Sequence, residues 1–248
     1  MATLAFLLQT AVVARALFLL PFEGRRKYER LAAAVRVDPS ARARFFVRFL
    51  AHWWLLALAV LASVALSGEP LSWLSLQGAP GLTPWGLLAA FTLAFGFPLL
   101  RVHDPAFRRA LEAQLAKVSA ILPSTRRERA LFAAVAVTAG VCEELVFRGL
   151  IPAWSDALLP GRPWVGAILS IAGFGLAHAY QGRRGILLTT ILGGAFFATL
   201  FFTGSLLLPM ALHALNDLRV LALIVALDRP PAPSAAQRPQ ANSPGDLP

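Results

Sequence analysis

Ala139-Gly140-Val141-Cys142-Glu143-Glu144-Leu145-Val146-Phe147-Arg148-Gly149 sets two adjacent glutamates and an arginine inside an apolar run that begins near Ala130. In a bilayer, each such charge near the middle of a helix costs about 2.5–3.5 kcal/mol on insertion scales. The rest of the chain must therefore bury and partner them. Residues four apart on a helix share a face, whereas neighbours diverge by about 100°. Glu144 and Arg148 are expected to pair, and Glu143 points to another face with no partner on its own helix. A carboxylate in that position suits a general base. Cys142, the single cysteine, reads as a small polarisable packing residue. With no second cysteine there is neither an intramolecular disulfide nor a multi-cysteine metal site.

Outward from this stretch the chain is largely apolar. Of 248 residues, 57% are hydrophobic and 15% charged, against about 25% charged in soluble domains. Apolar runs at 2–21, 50–67, 84–100, 130–150, 164–181, 186–203 and 206–227 predict an all-α, polytopic transmembrane bundle of about seven spans. A separate re-entrant segment at 151–159 is the alternative to a plain seven-span count. The runs are continuous rather than alternating, which excludes an outer-membrane barrel. The first apolar run lacks a preceding basic region and a small-residue cleavage site, so a retained first helix is expected.

The net charge of +10 falls between the runs. The connections at 22–49 and 101–129 are basic, and 67–83 has no Lys or Arg. The positive-inside rule then predicts a multi-pass cell-membrane protein with its N-terminus outside and its C-terminus cytosolic. The expected partners are membrane lipid and a membrane-associated protein or peptide. Nucleic acid is not expected, because the aromatics lie inside apolar runs instead of interleaving with the basic residues.

Residues 104–122 alternate polar residues with Phe107, Leu111, Leu115, Val118, Ile121 and Leu122, which predicts an amphipathic helix on the cytosolic surface. Pro123-Ser124-Thr125 should end it and cap the next helix. The chain divides into N-terminal helices with basic loops at 1–123, a core at 124–227, and a Pro-rich tail at 228–248 expected to be disordered.

Two of the four histidines, His178 and His213, lie inside apolar runs. Phe174 precedes His178 by four residues, and Asp217 follows His213 by four, with Asn216 beside it. Such groups on three helices, with Glu143, point to one shared polar site. Water between Glu143 and a histidine would be a hydrolytic arrangement, with His213 and either Asp217 or Asn216 holding an oxyanion. The alternative is Zn2+ held by Glu143, His178 and His213. There is no His-Glu-x-x-His, so a zinc site would have to be assembled from separate helices.

Glu143-Glu144-x-x-x-Arg148, Phe174-x-x-x-His178 and His213-x-x-x-Asp217 resemble the three motifs of the CPBP intramembrane proteases. That family includes type II CAAX prenyl proteases and bacteriocin-processing or self-immunity proteins. The resemblance covers about residues 124–225. It implies an intramembrane endopeptidase with Glu143 as water-activating base, His178 as its partner, and His213 and Asp217 supporting the oxyanion. Glu144, Arg148 and Phe174 would support the site. The family motif ends in Asn or Asp; an aspartate carries charge where an asparagine donates a hydrogen bond. Both a metalloprotease and a metal-free, glutamate-dependent scheme follow from the resemblance, so either Zn2+ or no cofactor is implied. Its substrate would be a CAAX-type or sorting tail, or a leader peptide. A non-catalytic transporter or a partner-binding immunity protein is the competing class. A transporter would be expected to show two related halves, and none is visible.

Overall fold

In the computed structural model, which describes residues 1–78, 81 and 83–228, the chain is helical, with no strand among the described residues. The helices are α1 (Ala2–Ala34), α2 (Ala41–Ser67), α3 (Thr83–Arg101), α4 (Pro105–Ala116), α5 (Arg126–Leu158), α6 (Pro163–Ala177), α7 (Gly182–Thr203) and α8 (Leu207–Leu227). Six of them are long and apolar enough to cross a bilayer, and the protein is a polytopic helical membrane protein. The Pro-rich tail expected at 228–248 lies, apart from Asp228, outside the described residues.

The sequence reading is corrected at three places. The basic connection at 22–49 is mostly helix, because α1 continues to Ala34 and α2 begins at Ala41. Good helix formers and i,i+4 pairs carry α1 past the apolar run: Lys27 donates to Glu23 at 2.6 Å and Arg25 to Glu29 at 2.9 Å. The stretch at 151–159 is no separate re-entrant segment. Its residues through Leu158 continue α5. The expected span at 164–181 is the 15-residue helix α6, too short for the length criterion the other six meet. It stops because the His178 backbone N–H bonds the Gly175 carbonyl, while the Phe174 carbonyl is taken by the His178 ring. A 3-10 turn, Ala179–Gln181, follows, and α7 starts at once.

Two helices contain wide π turns just before a proline. In α1 the turn Arg15–Leu19 precedes Pro21, and in α5 the turns Ala139–Glu143 and Leu145–Leu150 precede Pro152. Proline has no N–H and its ring collides with the carbonyl four residues back, so a wider turn lets the helix continue. In α5 that irregular stretch is the one holding the glutamates.

The two ends of the bundle are tied differently. At the basic end Arg42 on α2 pairs with buried Glu128 on α5 at 3.0 Å, Arg129 pairs with Asp228 after α8, and Tyr28 on α1 donates to the Lys117 carbonyl at 2.9 Å. Thr125 caps α5 in a reciprocal box with Glu128, as the Pro-Ser-Thr signal predicts. At the opposite end the Leu206 N–H bonds the Ser75 carbonyl at 2.8 Å and Gln77 donates to the Gly204 carbonyl at 3.1 Å. The amphipathic helix is α4, capped by Asp104 and continued by a short turn at Ser119–Ile121. Its predicted apolar stripe is half-buried, and Arg108 reaches the last carbonyl of α8, that of Leu227. One core runs through the bundle, joining Val12, Ala16, Trp53 and Val60 to Val146, Phe147, Leu150 and Phe174.

Candidate active site

The π-turned stretch of α5 crosses α8 in close contact. A Cβ on Gly140 would lie 2.6 Å from the Ala214 backbone nitrogen, so only glycine permits this approach. The crossing brings Glu144 against His213. Glu143 lies fifteen residues beyond Glu128, and His213 fifteen before Asp228. At 1.5 Å per residue, both are about 22 Å from the basic end.

Glu144 is the hub of the cluster. Its Oε1 accepts from Arg148 Nη1 at 3.0 Å and from His213 Nδ1 at 2.8 Å, and its Oε2 has no partner. The expected Glu144–Arg148 pair is present, fully buried. Arg148 also donates to the Gly193 carbonyl on α7 at 3.1 Å and lies 4.1 Å above the Phe174 ring. Gly193 leaves room for this, since a Cβ there would be 2.9 Å from Arg148 Nη2 and 3.0 Å from Phe174 Cδ1. Phe174 in turn packs edge-on against Phe147 and His213 and lies 4.7 Å from the His178 ring. On its other side His213 stacks on Phe196 at 5.2 Å.

The two histidines present different nitrogens. His178 Nδ1 is 2.8 Å from the Phe174 carbonyl, which can only accept. The proton therefore sits on Nδ1, and Nε2 keeps its lone pair. His213 Nδ1 donates to Glu144, while its Nε2 is 3.7 Å from Asp217 Oδ2. Asp217 was the expected orienter of His213, but Glu144 makes the closer contact and fixes the ring. Asp217 instead accepts from Asn216 Nδ2 at 3.1 Å and keeps 31% of its side-chain surface exposed.

Glu143 is buried, and its carboxylate has no hydrogen-bond or ion-pair partner among the described residues. Its charged neighbours are His213, Asp217, Glu144 and Arg148. The ring of Tyr180, in the turn after His178, lies 5.7 Å from that of Tyr28. The short α6 thus leaves non-helical backbone beside the cluster. Inside a membrane such backbone is tolerated where protein buries it or where it lines a water-filled space.

Among the described residues, no three His, Cys, Asp or Glu side chains are grouped as metal ligands. Glu143, His178 and His213 as placed do not form the ligand set a Zn2+ site requires. Cys142 is fully buried in the core, as expected of a packing residue. Sequence reasoning missed the Glu144–His213 contact and the roles of Gly140, Gly193 and Phe196. The Gly193-Gly194 pair within an apolar helix was the available signal for close packing at α7.

Residues 126–219 match the family model described as Rce1-like: Type II CAAX prenyl endopeptidase Rce1-like. That range contains Glu143, Glu144, Arg148, Phe174, His178, His213 and Asp217. No curated protein and no solved structure matches the chain.

Proposed function

From the match of residues 126–219 to the Rce1-like family model, we propose that this chain is an intramembrane protease of the CPBP type in which Glu143 activates water to cut a peptide bond in the tail of a membrane-anchored substrate. The observation that carries this reading is the buried Glu143 carboxylate, which has no hydrogen-bond or ion-pair partner among the described residues and shares its cluster with His213 and Asp217. Every other carboxylate in the cluster already has a partner.

In this scheme Glu143 takes a proton from water and the hydroxide attacks the scissile carbonyl; on collapse of the tetrahedral intermediate the C–N bond breaks as Glu143 returns that proton to the leaving amine. His178 Nε2, free because Nδ1 is held by the Phe174 carbonyl, accepts a hydrogen bond from the same water and orients it. The tetrahedral oxyanion needs donors aimed at it. His213 can supply one from Nε2 when that nitrogen carries a proton, with Asp217 at 3.7 Å balancing the charge. The Asn216 amide supplies a second by turning from Asp217. Glu144 and Arg148 do no chemistry, and they hold His213 and Phe174 in register.

Two features support a polar substrate end entering from the basic face. Asp217 keeps part of its side-chain surface exposed, and α6 ends in the His178–Gln181 turn instead of continuing as helix. With the basic end cytosolic, the N-terminus is outside and the C-terminus inside the cell membrane. The substrate class is then a C-terminal tail of CAAX or sorting type, cut on the cytosolic side.

Proteoliposomes of the full chain, given membrane-anchored tail reporters with and without a prenyl group, test the proposal. Wild type is expected to release the tail, and His178→Ala to lose at least about a hundredfold in rate. Cleavage by His178→Ala at the wild-type rate would overturn the role of His178. Metal content measured on the same active preparation distinguishes the metal-free scheme from one with Zn2+.

A further inference from the structure

Away from the cluster, at the basic end of the bundle, a groove of about 240 Å³ lies between the starts of α2 and α5. It is lined by Ser40, Ala43, Arg44, Val47, Arg48 and Arg127. The Arg44 guanidinium is fixed by Asp38 and Ser40. Arg48 and Arg127 are exposed, and neither has a hydrogen-bond or ion-pair partner among the described residues. The nearby carboxylate of Glu128 is buried and already accepts from Arg42, Ser124 and Thr125. Asp38 is the carboxylate at the rim, and it is spent on Arg44.

The floor of the groove continues into an apolar stripe. Val47, Ala51, Leu55 and Leu58 follow one another up α2 at helical spacing, all exposed, with Val47 at 52%, Leu55 at 66% and Leu58 at 61%. Two uncommitted guanidinia thus stand in a groove at the start of the apolar run of α2, next to an exposed apolar strip on the same helix. A ligand matching both must be an anion attached to an acyl chain. Arginine forks fit phosphate oxygens, and charge-assisted bonds of this kind are stronger than neutral ones.

We propose that this groove binds an anionic phospholipid, its phosphate held between Arg48 and Arg127 and one acyl chain lying along Val47, Leu55 and Leu58. General attraction of basic residues to an anionic surface is delocalised. This site predicts instead that two particular arginines account for selectivity between lipids.

The full-length protein, purified in neutral detergent, is titrated with phosphatidylglycerol, phosphatidylcholine or inorganic phosphate, and binding is read by native mass spectrometry and thermal shift. Wild type is expected to retain and be stabilised by phosphatidylglycerol in preference to phosphatidylcholine. The Arg48→Gln/Arg127→Gln variant should bind phosphatidylglycerol about thirtyfold more weakly. Arg26→Gln/Arg30→Gln, which removes the same charge from exposed positions on α1, should stay within about twofold of wild type. Equal loss in both double variants, or no loss in the first, would overturn the proposal. So would inorganic phosphate protecting as well as the lipid at equal phosphate concentration, because the acyl strip would then play no part.

Discussion

Replacing Glu144 by Gln keeps the shape of the hub and removes its charge. In the wild type one oxygen takes both bonds, from Arg148 at 3.0 Å and from His213 at 2.8 Å, and an amide oxygen can occupy the same place. What is lost is compensation of a fully buried guanidinium. At 3.0 Å and an effective dielectric of about 20, the attraction is about 5.5 kcal/mol. Breaking a buried pair by neutralising one partner costs about 3–5 kcal/mol in practice. For a chain of this length that lowers Tm by about 6–20 °C. Arg148 keeps the Gly193 carbonyl and the Phe174 ring, so the expected drop sits toward the lower half of that range. The assay is thermal unfolding in detergent of Glu144→Gln, Arg148→Gln and the double variant. The double variant restores neutrality and should be less destabilised than the sum of the singles by at least about 2 kcal/mol. A Glu144→Gln protein with wild-type Tm, or strictly additive losses, would refute the coupling.

Gly140→Ala should lower stability by about 1–3 kcal/mol, because the new methyl meets the Ala214 backbone, which cannot turn aside. The matched control is Gly194→Ala, where a Cβ meets nothing within 4 Å and an unchanged or slightly higher Tm is expected. Gly193→Ala presses on the ends of Arg148 and Phe174 instead of on backbone. Its Tm should fall little, while reporter cleavage falls by up to about a hundredfold, because small misplacements of the aligned groups are expensive.

The spans were legible in the sequence because bilayer burial demands long continuous apolar runs. Glu144–Arg148 was legible because it obeys helical spacing on one element. The cap at Thr125 was legible for the same reason, since its partner Glu128 is three residues away. Contacts between helices were not. His213 is oriented by Glu144, 69 residues distant, and nothing local distinguishes that from the i,i+4 contact to Asp217. The early end of α6 was hidden because an apolar run says nothing about a histidine ring replacing a backbone donor at the Phe174 carbonyl. The extension of α1 to Ala34 was hidden for the opposite reason: hydropathy ends at the membrane edge, and the helix does not.

In the proposed scheme Glu143 is the carboxylate in the cluster free to take a proton from water, and the direct measurement is the single-turnover rate of tail cleavage by Glu143→Gln, made beside its Tm. The substitution removes no hydrogen bond or ion pair among the described residues, so the Tm should stay within a few degrees of wild type while the rate falls by about 10²–10⁴-fold. A folded Glu143→Gln protein that cleaves at the wild-type rate would contradict the account.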